Sequence, residues 1–241
     1  MRLINLQSRT IGSQYVAIEM LKLIQQKPNA VLALATGNTM TNVYEQLSEL
    51  LNKNHVDVSG VTTFNLDEYI GLDATHEQSY HMYMNHHLFQ HNKGWTPQQL
   101  HLPNGVASDL LEECRAYEQQ LQTAGTRDLQ ILGIGENTHI GFNEPGSAFD
   151  STTRIVDLTP STIAANSVYF DDVSHVPQQA ISMGLSSIMD TQRIILVAFG
   201  KQKQAAIKAL MTGEISEAVP ASILQRHPNV EIIVDDDAAL F

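Results

Sequence analysis

The sequence predicts an α/β fold in which one doubly wound, mostly parallel β-sheet carries helices on both faces. Two observations lead to this prediction. Short runs of apolar and β-branched residues alternate with longer segments of helical pattern along the whole chain, as in successive βαβ units. The 241 residues are 43% hydrophobic, which is enough for one sizeable core. No internal repeat, low-complexity tract or linker divides the sequence, so a single domain over residues 1–241 is expected.

Six apolar runs are predicted to be strands, because each has the length and composition of a strand in a parallel sheet. In chain order they span residues 1–6, 31–35, 61–65, 129–134, 193–199 and 230–234. Four intervening segments have helical patterns, over about residues 40–51, 79–89, 107–121 and 201–211. Ligands of such folds bind outside the carboxyl ends of the strands, so polar residues just after a strand are the first candidates for a site.

The formal net charge of −12 argues against nucleic acid as a partner, because binding to a phosphate backbone needs clustered Lys and Arg. An acidic protein also repels small anions on average, so a phosphate site must be local. The N-terminus has no apolar stretch of signal or membrane length, which favours a cytoplasmic protein without a membrane partner. The single cysteine, Cys114, is interpreted as having no catalytic role.

The most informative segment is the Gly-punctuated stretch 133–146, which follows an apolar run. It reads Gly-Ile-Gly-Glu-Asn-Thr-His-Ile-Gly-Phe-Asn-Glu-Pro-Gly and places His139 five residues before Glu144. Its glycine, asparagine and proline residues make the chain turn outside the carboxyl end of the predicted strand. The histidine and the carboxylate are therefore candidate site residues.

A second candidate is the turn after the strand 31–35, which consists of Thr36, Gly37, Asn38 and Thr39. This turn opens a predicted helix, and the free backbone N–H groups of a helix N-terminus favour an anion. A capped turn without a ligand is the alternative. The turn is not a P-loop, since no Gly-Lys-Ser/Thr sequence follows it.

Charged residues follow two more predicted strands. Asp67 and Glu68 come after residues 61–65, and since neighbouring side chains point in different directions, one carboxylate is expected to face a pocket while the other supports the loop. Taken alone, Asp67 fits a turn or cap as well as a catalytic base. Lys203 follows residues 193–199, where a lysine is either a solvated surface residue or a point charge for a phosphate.

No metal or organic cofactor is expected. His81, His86, His87 and His91 do not place three side chains on one helical face, and no His-Glu-x-x-His or paired-cysteine motif is present. The first strand is not followed by the Gly-x-Gly-x-x-Gly motif of nicotinamide-binding proteins.

Together these motifs resemble the glucosamine-6-phosphate deaminase family, also called glucosamine-6-phosphate isomerase, in its short bacterial form. The resemblance runs nearly end to end, as one glucosamine/galactosamine-6-phosphate isomerase-like domain. The pair Asn-Leu-Asp-Glu-Tyr and His-Ile-Gly-Phe-Asn-Glu-Pro-Gly is specific to the family. The matching segments are 35–39, 64–72, 102–105, 133–146, 165–167 and 220–225.

The resemblance implies that glucosamine 6-phosphate and water give fructose 6-phosphate and ammonia, by aldose–ketose isomerisation coupled to deamination. By the match, His139 opens the sugar ring, and Glu144 orients the imidazole and stabilises its protonated form. Asp67 is the base that moves a proton between C2 and C1. The phosphate is expected on the turn 36–39 with Lys203, at the positive ends of two helices.

Three positions depart from the family's commonest pattern. Asn137, which is counted among the catalytic residues, stands where many members have aspartate, so more of the imidazolium stabilisation would fall on Glu144. Thr138 stands where Gly or Ala is usual, which stiffens the loop. Val168 replaces an arginine that binds the substrate phosphate in the family, so phosphate binding is weakened unless another cation takes its place.

Regulation and assembly follow from the same resemblance. The sequence lacks the C-terminal extension of the long, hexameric members that N-acetylglucosamine 6-phosphate activates. Arg154 matches their effector-site arginine, but Val156 stands where they have lysine, so no such activation is expected. Short members tend to be monomers, and a monomer that binds a phosphosugar is therefore favoured.

Two alternative functions stay open. Lactone hydrolysis, as in the related 6-phosphogluconolactonases, would use the histidine as base for water and would not need Asp67. A non-catalytic sugar-phosphate sensor is the second alternative, because effector domains of some bacterial regulators share this fold. The absence of a DNA-binding segment in the sequence argues against the sensor.

Overall fold

The computed structural model describes residues 1–239, and the two final residues of the expected domain lie outside the described part. The strands are β1 (Arg2–Asn5), β2 (Val31–Leu34), β3 (Thr62–Asn65), β4 (Asp67–Tyr69), β5 (Leu100–His101), β6 (Leu129–Leu132), β7 (Arg154–Asp157), β8 (Gln179–Ser182), β9 (Ile194–Ala198) and β10 (Val230–Val234). The α-helices are α1 (Arg9–Gln26), α2 (Asn38–Lys53), α3 (Tyr80–His87), α4 (Leu110–Ala124), α5 (Pro160–Asn166), α6 (Leu185–Met189), α7 (Gln204–Thr212) and α8 (Asp236–Ala239). Segments of 3₁₀ helix span Phe89–His91, Pro97–Gln99, Ser167–Tyr169, Val173–His175, Lys201–Lys203 and Pro220–Arg226.

Seven strands form one sheet in the order β1-β10-β9-β6-β2-β3-β5, and every neighbouring pair is parallel. All six predicted strands lie in this sheet. Strands β6, β9 and β10 are buried at every position, which requires cover on both faces. The predicted α/β class with a mostly parallel sheet is therefore confirmed.

The direction in which the sheet grows reverses between β2 and β6. From β2 the chain extends the sheet through β3 to β5 at one edge, and β6 then pairs with the other side of β2. The loops that leave β2 and β6 consequently diverge and open a crevice at the carboxyl ends of the two strands. The turn 36–39 and the loop 133–146 both start at this crevice.

A second, antiparallel sheet has the strand order β4-β8-β7, and the sequence patterns do not predict it. Its strands are three or four residues long, too short for a clear alternation of apolar and polar residues. Leu66 links the two sheets, since its N–H donates to the Leu34 carbonyl at 3.1 Å and its carbonyl accepts from the Met183 N–H at 2.7 Å. Asp67 therefore begins a strand, which corrects the loop expected after residues 61–65.

Helix α1 is the longest element that the sequence patterns miss. Its apolar residues are spread around the helix and do not form one stripe. Val16 and Met20 are fully buried, whereas Ile11 and Ile18 are exposed. Ser8 caps the N-terminus, and its Oγ accepts a hydrogen bond from the Ile11 N–H at 3.3 Å. The helix packs along α2, so tertiary contacts stabilise it more than its own pattern does.

The four predicted helices are present with shifted ends. Helix α3 ends at His87 and is followed by the 3₁₀ segment Phe89–His91. Helix α7 begins only after the 3₁₀ segment Lys201–Lys203. The short helices α5, α6 and α8 have too few residues to show a period and are not predicted. Over residues 1–239, no helix is both long and apolar enough to cross a membrane.

Candidate active site

The crevice is a cavity of about 620 Å³ at the carboxyl ends of the central strands. Its walls come from the turn after β2, the start of β4, the loop after β6, helix α5 with the turn behind it, and the turn after β9. Eight of the nine predicted site residues line it, namely Thr36, Gly37, Asn38, Thr39, Asp67, Asn137, His139 and Lys203. Glu144 does not line the cavity and lies behind residues that do, in contact with Asn137, His139 and Thr162.

The turn after β2 is shaped to leave backbone donors at the cavity. Gly37 has a φ of +99°, a left-handed conformation that favours glycine, and it is the N-cap of α2. The N–H groups of the first helical turn have no acceptor within the helix. Tyr83 holds the turn in place, since its hydroxyl donates to the Gly37 carbonyl at 2.8 Å. This turn can therefore receive an anion such as a phosphate group.

Asp67 is the buried carboxyl group of the cavity, with 6% of its surface exposed. Burial, and to a smaller extent the adjacent charge of Glu68, raise the pKa of Asp67 from 3.8 to about 8. A cationic ligand beside the carboxyl group would favour its ionised form. Asp67 is thus suited to accept and return a proton near neutral pH.

Glu68 faces away from the cavity and is fully buried. Its carboxylate accepts hydrogen bonds from the backbone N–H groups of Tyr69 at 2.9 Å, Tyr80 at 3.0 Å and His81 at 3.0 Å. The Nδ1 atom of His81 lies 2.9 Å from the same carboxylate. Glu68 therefore fastens the N-terminus of α3 to β4. The two neighbouring carboxylates divide as the alternation of side chains along a strand predicts.

The loop after β6 forms a compact group around His139. Nδ1 of His139 lies 3.4 Å from Oε2 of Glu144, a charge contact rather than a well-formed hydrogen bond. Asn137 connects the two residues, since its Nδ2 donates to the same Oε2 at 2.6 Å and its Oδ1 accepts from the His139 N–H at 3.3 Å. Asn137 thus orients both members of the pair without adding charge.

Threonines from the segment that carries α5 complete the shell around Glu144. Thr162 and Thr159 donate hydroxyl hydrogen bonds to Oε1 of Glu144, at 2.5 Å and 3.2 Å. Burial alone would raise the pKa of Glu144, but the charge contact with His139 and hydrogen bonds from Thr162 and Asn137 outweigh it and lower the pKa from 4.5 to about 2. Glu144 is therefore ionised near neutral pH and places a negative charge beside the His139 ring.

Two backbone positions shape this loop. A Cβ atom at Gly135 would overlap the His139 ring, so the ring packs directly on the glycine backbone. Thr138 has a φ of +74°, a conformation in which a β-branched residue is strained. The Thr138 carbonyl accepts from the Ala221 N–H at 3.1 Å, which ties the strained residue to the 3₁₀ segment Pro220–Arg226.

Lys203 contributes a cation from the turn after β9. Its Nζ donates to the Ile134 carbonyl at 2.7 Å. Burial lowers the pKa of Lys203, and the Glu136 charge opposes this shift. Lys201, two residues earlier, is exposed and does not line the cavity. Of the two lysines in this turn, Lys203 is therefore the one placed to meet a ligand.

The cavity wall also holds Arg9, Tyr80 and Tyr169, which are not among the predicted site residues. Arg9 escapes prediction because α1 does, although Ser8 before it is a typical helix cap. Val168 is 76% exposed and does not line the cavity. Within the part of the chain that the structure describes, no three His, Cys, Asp or Glu side chains come together to hold a metal ion.

Comparison with known proteins identifies relatives along nearly the whole chain. The family model described as "Glucosamine-6-phosphate isomerases/6-phosphogluconolactonase" matches residues 10–233. A glucosamine-6-phosphate deaminase of Staphylococcus haemolyticus is 60% identical over 236 residues, which cover 98% of each chain. One from Staphylococcus epidermidis is 55% identical over 239 residues, covering 99% of this chain and 98% of the relative.

Solved structures share the same architecture. A monomeric glucosamine-6-phosphate deaminase superposes with a TM-score of 0.97 at 44% identity, over 99% of both chains. A 6-phosphogluconolactonase from Thermotoga maritima has a TM-score of 0.77 at 19% identity, over 98% of this chain and 99% of that one. The second likeness concerns the fold alone.

Proposed function

Because the chain belongs to the glucosamine-6-phosphate isomerase and 6-phosphogluconolactonase family, we propose that it converts glucosamine 6-phosphate and water to fructose 6-phosphate and ammonia. One observation supports this reaction above others: a buried carboxyl group, Asp67, faces the same cavity as a histidine that is paired with an ionised carboxylate. The reaction needs two separate sites of proton transfer, one at the ring oxygen and one at the neighbouring carbons C1 and C2. The cavity holds a suitable group for each.

Ring opening is the proposed role of His139. The bond between C1 and the ring oxygen breaks as the anomeric hydroxyl loses a proton and the ring oxygen gains one, which leaves an aldehyde. Histidine can carry that proton because its protonation changes near neutral pH. Glu144 and Asn137 orient the ring through the contacts described above, and the negative charge of Glu144 stabilises the imidazolium.

Isomerisation and deamination follow on the open chain. Asp67 takes the proton from C2, which gives an enolamine, and returns it to C1, which gives an imine at C2. Water then adds to C2 and the carbon–nitrogen bond breaks, so that ammonia leaves and a ketone remains. The overall change is thus an isomerisation followed by hydrolysis of a carbon–nitrogen bond. The amino group beside C2 is cationic when protonated, and its charge favours the ionised form of Asp67.

The substrate phosphate is proposed to bind at the turn Thr36–Thr39 and Lys203. The backbone N–H groups at the start of α2 and the Lys203 ammonium supply donors and positive charge at one end of the cavity. This local site offsets the acidic balance of the whole chain. Phosphate at this end leaves the sugar carbons for Asp67 and His139.

Lactone hydrolysis and phosphosugar sensing are not favoured. The lactonase structures are 16–21% identical to this chain, whereas the two staphylococcal deaminases are 60% and 55% identical and the monomeric deaminase of solved structure is 44% identical. A lactonase would also have no use for a base at the position of Asp67. By likeness to its relatives, we propose a monomeric, cytoplasmic enzyme of amino-sugar metabolism.

The direct test measures ammonia and fructose 6-phosphate released from glucosamine 6-phosphate by the purified chain, after exhaustive treatment with a chelator. We expect the two products in equal amounts and no hydrolysis of 6-phosphogluconolactone. The reactions proposed for the side chains are proton transfers, so the activity should survive the chelator. Lactone hydrolysis without ammonia release, or binding of the phosphosugar without turnover, would refute the proposal.

A further inference from the structure

Arg9 is a cation in the cavity wall that the proposed mechanism leaves without a role. It is the first residue of α1 and lies beside the turn Thr36–Thr39. One of its guanidinium nitrogens, Nη2, donates to the Asn38 carbonyl at 2.5 Å and lies 3.4 Å from the Asn38 side-chain oxygen. The side chain is thus anchored to the turn at which a phosphate group is proposed to bind.

Most donors of this guanidinium are free. Nε of Arg9 is buried and has no hydrogen-bond partner. Across residues 1–239, the hydrogen bonds of the Arg9 side chain all come from Nη2 and go to Asn38. A guanidinium carries five N–H donors in one plane. Burial shields Nε from a ligand, whereas Nη1 is not buried and takes no part in the bonds to Asn38, so its two donors are available to an oxyanion.

The charges around the cavity point to an anionic ligand at this place. The residues that line the cavity include two basic side chains, Arg9 and Lys203, and two carboxyl groups, Asp67 and Glu136. Lys203 already donates to the Ile134 carbonyl. A phosphate monoester carries a charge of about −1.5 to −2 at neutral pH and offers three acceptor oxygens. The Lys203 ammonium, which is already bonded to a carbonyl, balances only part of the phosphate charge.

We infer that Arg9 binds the substrate phosphate through Nη1 of its guanidinium while Nη2 holds the turn. The inference rests on the proposed function for the identity of the phosphosugar, but it concerns a phosphate-binding residue that the mechanism above does not include. Hydrogen bonds from an arginine guanidinium to phosphate are charge-assisted and therefore stronger than bonds between neutral groups. Arg9 also explains how this chain binds phosphate with a valine at position 168, which lies outside the cavity wall.

The test compares Arg9→Ala and Arg9→Lys with a matched control, Arg115→Ala. Arg115 lies on α4, outside the cavity wall, with a side chain that is 67% exposed, so its loss changes the net charge equally without touching the site. We expect Arg9→Ala to raise KM for glucosamine 6-phosphate by about 10- to 150-fold, the range for a hydrogen bond to a charged group. The effect on kcat should be smaller, because phosphate is held in the ground and transition states alike.

Inorganic phosphate supplies a readout that does not depend on turnover. Its dissociation constant, measured by calorimetry, should rise in parallel with KM in Arg9→Ala, rise less in Arg9→Lys, and stay unchanged in Arg115→Ala. A loss of kcat with KM and phosphate affinity unchanged would overturn the inference, since it would assign Arg9 a purely structural role. If the wild type released no ammonia, the proposed function would fail, while a loss of phosphate affinity confined to Arg9 variants would still support this inference.

Discussion

At the scale of single residues, the division between Asp67 and Glu68 decides the chemistry. Both are buried carboxyl groups in the same short strand. Glu68 accepts three backbone hydrogen bonds and contacts His81, whereas Asp67 faces the cavity without such donors from residues 1–239. A carboxyl group without donors retains its proton to a higher pH, which is what a proton-transfer group at C2 and C1 needs.

Replacing Asp67 with asparagine should remove the base and keep the shape of the site. We expect Asp67→Asn to lower kcat by about 10²–10⁴-fold, the usual contribution of a positioned acid–base group. Binding of inorganic phosphate should be unchanged, because the proposed phosphate site lies elsewhere in the cavity. The check is ammonia release together with phosphate calorimetry. Unchanged ammonia production would disprove the assignment of Asp67.

The same residue makes stability depend on pH. Since burial, and then Glu68, raises the pKa of Asp67 from 3.8 to about 8, the folded protein holds a proton that the unfolded chain releases. The stability that this proton provides is fully present below pH 3.8 and is lost as the pH rises towards about 8. Asparagine at position 67 does not titrate. The melting temperature of Asp67→Asn should therefore exceed that of the wild type by a margin that grows as the pH rises from 5 to 8. This pH range lies between the unfolded-state pKa of 3.8 and the folded-state pKa of about 8.

Thermal unfolding of the wild type and Asp67→Asn at several pH values measures this effect. Asp171→Asn is a suitable control, because Asp171 is exposed and lies outside the cavity wall. A constant difference between the wild type and Asp67→Asn over the whole range would mean that Asp67 is ionised in the folded state throughout.

At the scale of elements, the loop 133–146 combines a packing constraint with a strained backbone. Gly135 leaves space for the His139 ring, and Thr138 takes a left-handed conformation one residue before that histidine. Arg154 from β7 supports the loop by donating to Oδ1 of Asn143 at 2.8 Å. Asn143 in turn donates to the Ile140 carbonyl at 2.9 Å. The position of His139 is thus determined by several contacts at once.

Strain at Thr138 predicts a stabilising substitution. A non-glycine residue in a sparsely populated backbone region costs about 1–3 kcal/mol, while glycine costs about 0.5–1 kcal/mol through the entropy of the unfolded chain. Thr138→Gly should therefore raise the free energy of unfolding by about 1 kcal/mol. Thr138→Ala is the matched control, since alanine has the same backbone preference against this conformation. Denaturant unfolding that found Thr138→Gly less stable than Thr138→Ala would contradict the strain.

At the scale of the whole molecule, the site is assembled from distant parts of the chain. The reversal of strand order between β2 and β6 opens the crevice, and the antiparallel sheet β4-β8-β7 places Asp67 in its wall. Helix α1 begins at Arg9 and brings this residue to the turn after β2, as a second cation of the cavity wall besides Lys203. These arrangements depend on contacts between residues far apart in sequence.

The overall architecture also bears on regulation. Arg154, which resembles an effector-site arginine, donates to Asn143 Oδ1 and to Ser147 Oγ at 3.1 Å, so its guanidinium is engaged within the chain. Val156 offers no charge beside it. We expect hyperbolic saturation by glucosamine 6-phosphate, with N-acetylglucosamine 6-phosphate shifting the curve by less than about 5-fold, the low end of allosteric coupling. Initial rates with and without that compound decide this, and a sigmoidal curve that it makes hyperbolic would contradict the expectation.

Local patterns in the sequence predicted six of the seven strands of the parallel sheet, four of the helices and seven residues that line the cavity, while Asn137 was added by the family resemblance. These features follow from apolar periodicity and from turn residues at strand ends, both of which are properties of short segments. The same patterns could not reveal α1, whose apolar residues surround the helix, or the strands of three or four residues in the second sheet.

Tertiary structure alone decided which of two adjacent carboxylates enters the cavity with a raised pKa, and which of two nearby lysines lines it. It also brought Arg9 to the turn after β2 and left Val168 in solvent. Burial, charge contact and strain are determined by neighbours that the fold supplies from other segments. A residue type at a given spacing therefore identifies the candidates for chemistry, while the packing around each one sets its protonation and its access to the ligand.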